Sequence, residues 1–239
     1  MAPVASAVTR VLVTGFGPFQ GVPNNPSWAI ASLLPTTLPN NISLTIHPAP
    51  LPVAYHPVIS TVPALIADVH PDIALHIGVV EGRTYFAVEQ TSRRNVYGYS
   101  WNADIDGEVF TDTEGDAVWG DQPTVLSTEL DLEAVVDEWQ NRTEGIVWPE
   151  GESEGIQGKA GGDDDDEVRL SDNVGTYLCA FIYYTSMVEM GKERGQRDTA
   201  FMHVPLLLGE EEVQFGVEVT VELIQSLVSS WRAERAGGT

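Results

Sequence analysis

Two apolar runs that each stop at a glycine bracket the first third of this chain: Val8-Thr-Arg-Val-Leu-Val-Thr14 before Gly15, and Asp72-Ile-Ala-Leu-His-Ile-Gly78. Runs of this length and β-branched content read as strands buried on both faces. Between them the period changes. Asn25-Pro-Ser27 leads into Trp28, Ile30, Ala31, Leu33 and Leu34, a helix that Asn25 or Ser27 can cap and Pro35 closes. Ile42-Ser-Leu-Thr-Ile46 alternates as a second strand, and Val58, Val62, Leu65, Ile66 and Val69 recur at helical spacing over about 56–69. Strand–helix–strand–helix–strand requires crossover connections. The expectation is an α/β fold: a single-domain three-layer sandwich with a mainly parallel twisted sheet flanked by helices.

The remainder extends the same plan. Tyr85 to Val88 reads as a short strand before Glu89, and the polar, Gly-rich 93–125 as loop with short strand pairs. Leu130 to Trp139 reads as a helix, Val168 to Leu170 as a brief strand, and the strongly apolar Gly175 to Met190 as a buried helix. Thr199 to Val204 is a strand that Pro205 stops, and Glu212 to Arg235 is an amphipathic closing helix. Residues 1–239 read as one domain with an acidic loop inserted at about 142–167, where nine acidic side chains between Glu144 and Glu167 stand against Arg142 and Lys159. Such a block reads as a solvated loop. Its run Asp163–Asp166 lacks the spacing of a Ca²⁺-binding EF-hand loop, so no metal site is expected.

The formal net charge of −23 argues against nucleic acid and anionic membrane as partners. No stretch of about 18 apolar residues is present, so no membrane span is expected. The first ten residues do not read as a signal peptide. A single cysteine forms no internal disulfide, which fits a reducing, cytoplasmic compartment.

In open parallel sheets, ligands bind beyond the carboxyl ends of the strands. Cys179 follows a short strand and a polar turn, Ser171-Asp-Asn-Val-Gly175, and falls near the start of a helix that Ser171, Asp172 or Asn173 can cap. A helix start favours the thiolate, which is the nucleophilic form. Read alone, Cys179 fits a small buried hydrophobe as well as a nucleophile. His203, near the end of its strand, is a possible general base or a core histidine, with His76 as its competitor; His47, His56 and His70 read as surface or helix-edge residues. Glu89 is a carboxylate that could orient the base, or an exposed strand end.

Three local sequences carry a resemblance. Val11-Leu-Val-Thr-Gly-Phe-Gly-Pro-Phe19 with Asn25-Pro-Ser-Trp28 resembles the opening of the pyroglutamyl peptidase I family; Gly175-Thr-Tyr-Leu-Cys179 resembles its nucleophile helix; and Phe201-Met-His-Val-Pro205 resembles its histidine strand. Gly78 through Glu89 is similar to the segment carrying the family's glutamate. The resemblance implies a cysteine peptidase that removes N-terminal pyroglutamate through a thioester acyl-enzyme, with Cys179 as nucleophile, His203 as base and then acid, and Glu89 as third member. It further implies a lactam pocket of Phe16, Phe19, Asn25, Tyr177 and Leu178, and no metal or organic cofactor. The chain departs from the pattern at Gln90, where a basic residue is usual, at the shifted Asn95, and at Val79, Val174 and Ala180. The alternatives are a related cysteine acyl-hydrolase with another substrate, or a silent relative that binds a ligand or partner. Oligomeric state is not legible.

Overall fold

The computed structural model describes residues 7–94, 97–149 and 167–237. The strands are β1 (Thr9–Gly15), β2 (Thr37–Leu38), β3 (Ile42–Ile46), β4 (Ile73–Val79), β5 (Phe86–Glu89), β6 (Thr91–Arg93), β7 (Val125–Ser127), β8 (Val168–Ser171) and β9 (Thr199–Val204). The helices are α1 (Pro26–Leu33), α2 (Tyr55–Val69), α3 (Tyr97–Trp101), α4 (Asp112–Trp119), α5 (Leu132–Thr143), α6 (Leu178–Arg194) and α7 (Glu210–Gly237). Seven strands form one sheet in the order β2-β3-β1-β4-β9-β5-β8, and β6 pairs with β7 apart from it. Strands β3, β1, β4 and β9 are parallel; β5 runs antiparallel to β9 and carries β8 parallel to itself.

Both faces of the sheet are covered, which is why the central strands read as unbroken apolar runs. Ile73, Leu75 and Ile77 of β4 pack with apolar residues of α1, α5 and α7. Leu12, Ala74 and Phe201 face the other way, into a cluster with α2 and α6. The α/β sandwich predicted from the sequence is the observed architecture, as one domain.

Local differences have local causes. Asn25, not Ser27, caps α1: its side chain accepts from Ser27 N, with Pro26 in the first helical position. The segment 93–125, read as loop with short strand pairs, also contains α3 and α4. Helix α4 begins with a capping box, in which Thr111 Oγ1 accepts from Glu114 N while Glu114 accepts from Thr111 N. Helix α6 starts later than predicted. Its N-cap is Tyr177, not Ser171, Asp172 or Asn173, and no side chain caps it. Helix α5 runs on to Thr143, so it takes in the start of the acidic segment. Residues 150–166, with Asp163–Asp166 and most of the predicted insertion, lie outside the described residues, as does Asn95.

The polar 97–119 segment is held by aromatic packing. The ring of Phe181 on α6 lies 5.0 Å from Tyr55, 5.3 Å from Tyr99, 4.7 Å from Phe110 and 5.4 Å from Trp119, centroid to centroid, mostly edge-on. Phe181 is fully buried. Phe181→Ala should destabilise the fold by about 3–5 kcal/mol in urea unfolding, because four rings lose a shared partner. A loss under about 1 kcal/mol would show that the cluster does not hold this segment.

Candidate active site

Strand β1 has β3 on one side and β4 on the other. The chain therefore leaves β1 in one direction and returns to its opposite flank, opening a crevice beyond the carboxyl ends of β1 and β4. Phe16 follows β1, and Gly78 and Val79 end β4. Beside β4 lies β9, whose His203 pairs in register with Gly78. Paired residues of parallel strands point to the same face, so His203 and the bare side of Gly78 are neighbours.

Glycine at 78 is required by what lies over it. A Cβ there would sit 2.9 Å from Cys179 Sγ and 2.7 Å from Cζ of Phe201. The sulfur thus rests on the backbone of Gly78, one strand from His203. A second glycine positions the approach to the cysteine: a Cβ on Gly98 would meet the carbonyl oxygen of Thr176 at 1.8 Å, so only glycine lets the 175–177 turn pack against α3. Cys179 is then the second residue of α6. The first α6 hydrogen bond runs from Phe181 N to Tyr177 O, which leaves the preceding amides directed out of the helix start.

Glu89 completes the group from β5. Ala87 pairs with His203, so Glu89 is its diagonal neighbour on the same face. His203 Nδ1 and Glu89 Oε1 are 2.7 Å apart. Arg83 Nη1 donates to the same oxygen at 2.8 Å, and Asn173 N donates to Oε2 at 2.9 Å. Glu89 is fully buried and is not the exposed strand end that its sequence context allowed.

The charges follow from these contacts. Burial alone pushes the Glu89 carboxyl up, but its hydrogen bonds from His203, Ser171 and Arg83 and its attraction to His203 outweigh that and lower it from 4.5 to about 2. The ionised carboxylate is acceptor only, so Nδ1 of His203 carries the proton and Nε2 keeps its lone pair. Burial lowers His203 below its ordinary 6.5 despite Glu89, leaving the imidazole neutral near pH 7. The expectation that the helix start lowers the Cys179 thiol does not hold. Burial, with the Glu89 charge, raises it to about 12, against the opposing pull of Arg83 and the cysteine's own amide. The resting pair is therefore a neutral thiol with a neutral imidazole.

Cys179 and His203 line one cavity of about 320 Å³ with Phe16, Phe19, Asn25, Tyr177 and Leu178, so the structure gathers every site residue singled out from the sequence; Glu89 stands behind His203, outside the lining. Asn25 braces the first loop, donating from Nδ2 to Gly17 O at 2.9 Å and accepting from Ser27 N and Oγ. His76 does not compete with His203. It bonds Thr14 Oγ1 at 2.7 Å, is fully buried, is lowered to about 3 by that burial, and does not line the cavity. Sequence reasoning missed Arg83, Asn173 and the contact role of Gly78. The signals were a lone arginine between two strands and a glycine closing a buried one. Among the described residues no group of three or more His, Cys, Asp or Glu side chains is placed to hold a metal ion.

A thiol at a helix start, a neutral imidazole and a buried carboxylate at the switch point of a parallel sheet are the equipment of a cysteine hydrolase. The particular family is that of the pyroglutamyl peptidases, to which the chain belongs: the family profile matches residues 9–147. The chain is 30% identical over 198 residues to pyroglutamyl-peptidase 1 of Rattus norvegicus, covering 82% of this chain and 79% of the relative. It is 24% identical over 230 residues to the pyrrolidone-carboxylate peptidase of Bacillus thuringiensis, covering 89% and 91%. In fold it is similar to the pyrrolidone carboxyl peptidase of Pyrococcus furiosus, with a TM-score of 0.70 at 21% identity over 93% of this chain and 100% of that one.

The raised thiol makes a direct prediction. Alkylation of Cys179 by iodoacetamide in the resting protein should be slow at neutral pH and keep rising beyond about pH 9. A rate that levels off below about pH 8 would show a preformed thiolate.

Proposed function

We propose that this chain removes pyroglutamate from the N-terminus of peptides, with Cys179, His203 and Glu89 in the roles of nucleophile, acid–base and orienting carboxylate. The observation that carries the reading is the seating of the Cys179 sulfur over Gly78, one strand from an imidazole whose tautomer Glu89 sets, inside an apolar cavity. A pyroglutamyl ring is small, flat and uncharged, with one N–H and one carbonyl. The aromatic faces of Phe16, Phe19 and Tyr177 suit it, and no ionic partner is needed.

With thiol and imidazole both neutral, attack and proton transfer are coupled. The Cys179 proton passes to Nε2 of His203 as sulfur bonds to the carbonyl carbon between pyroglutamate and the next residue. The imidazolium that forms is stabilised by the Glu89 carboxylate. The amide groups at the start of α6, which no side chain caps, are oriented to receive the oxyanion. His203 then protonates the departing amine, leaving a pyroglutamyl thioester on Cys179. Water gives its proton to the same nitrogen as it attacks, and pyroglutamate and the thiol are released.

No helix among the described residues is long and apolar enough to cross a membrane. An active site built on one reduced thiol suits a cytoplasmic setting, and the substrate is a peptide rather than a nucleic acid or lipid surface.

The test is hydrolysis of a pyroglutamyl-arylamide under reducing conditions. The native protein should release the arylamine, Cys179→Ser should not, and Glu89→Gln should lower kcat by about a hundredfold or more, since the imidazole loses its orienting charge. Activity requires neutral His203, so the rate should fall as the medium is acidified, with its midpoint below 6.5. No release by the native protein, or full activity in Cys179→Ser, would overturn the proposal.

A further inference from the structure

Next to the reactive cavity lies a larger groove of about 860 Å³. Phe19 and Tyr177 line both spaces, so the two share a rim. One wall of the groove is the 101–105 turn. There Trp101 is 79% exposed and Ile105 47%, so two large apolar side chains four residues apart present their surface on one wall of the groove.

That turn is held rigidly. Tyr55 donates from its hydroxyl to Asn102 O at 3.1 Å and from its amide to Asp104 Oδ2 at 2.9 Å. Asp104 Oδ1 accepts from Asp106 N and Glu108 N at 2.9 and 3.0 Å. The Tyr177 hydroxyl donates to Ala103 O at 3.2 Å, tying the rim to the wall. The facing wall is equally fixed. Pro18 and Pro23 flank a turn closed by hydrogen bonds from Phe19 N to Val22 O and from Val22 N to Phe19 O. Two pinned walls that present apolar surface describe a preformed binding site.

We propose that this groove holds the leaving side of the substrate: the residue that follows pyroglutamate, with preference for an aromatic or large aliphatic side chain laid against Trp101 and Ile105. The inference rests on the proposed function. Once the lactam occupies the cavity beside Cys179, the chain beyond the attacked carbonyl must leave it, and the rim formed by Phe19 and Tyr177 opens onto the groove. An exposed indole on a rigid support offers contact area with little ordering cost.

The experiment compares kcat/KM for pyroglutamyl-phenylalanine amide, pyroglutamyl-leucine amide and pyroglutamyl-glycine amide. The native protein should prefer phenylalanine and leucine over glycine by about tenfold. In Trp101→Ala and in Ile105→Ser that ratio should shrink toward one. Unchanged thermal melting will show that these exposed positions have not altered the fold. A native ratio near one, or a ratio that survives both substitutions, would overturn the leaving-side assignment while leaving the proposed function intact. Failure to cleave any of the three amides would defeat the proposed function, and this inference with it.

Discussion

The rest of the site depends on one buried charge. Glu89 has no exposure to solvent, and an isolated carboxylate there would be too costly to keep ionised. It stays charged because three segments supply donors: β9 through His203, the turn between β4 and β5 through Arg83, and the turn before α6 through Asn173 N. Arg83 spans two of these, since its second guanidinium nitrogen donates to Asn173 O at 2.8 Å. The β5 backbone joins α6 as well, because the Tyr183 hydroxyl donates to Glu89 O at 2.8 Å. The charge that sets the imidazole tautomer thus also ties together the strands and the helix that carry the cysteine and the histidine.

That coupling makes an acid-sensitive structure. Glu89 titrates near 2 in the folded state and near 4.5 when free. The network's contribution is therefore fully present above about pH 4.5 and is lost as the pH falls through about 2. His203 acts in the same direction: its folded pKa is lowered, so protonation below 6.5 favours the unfolded chain.

Much of this was legible in the chain because the physics is local. Buried parallel strands write themselves as β-branched runs, and the turns after Thr14 and before Leu178 carry glycines that mark strand and helix ends. Cys179 stands just after such a turn, in the first turn of α6, and His203 stands in such a strand, so their candidacy could be read directly. Other features depend on contacts between distant segments. Glu89 could be read either as an orienting carboxylate or as an exposed strand end, because nothing near it in sequence announces that His203 and Asn173 will surround it. Gly78 looked like a simple terminator because the need for a bare backbone arises only when the Cys179 sulfur is laid across it. The 97–119 helices were hidden by a polar surface; what orders them is Phe110 and Trp119 packing on Phe181, 62 residues beyond Trp119 in the chain. The thiol was misjudged because a helix start and burial pull in opposite directions, and only the structure shows that burial dominates.

In the proposed reaction Cys179, deprotonated by His203 during attack, carries the pyroglutamyl group. Rapid acid quenching of the native protein during turnover of a pyroglutamyl-arylamide, followed by peptide mass spectrometry, tests it most directly. One pyroglutamyl group is expected on the peptide containing Cys179, in an acid-stable and hydroxylamine-labile linkage characteristic of a thioester. Turnover accompanied by modification at a different residue, or sustained turnover by Cys179→Ala, would contradict it.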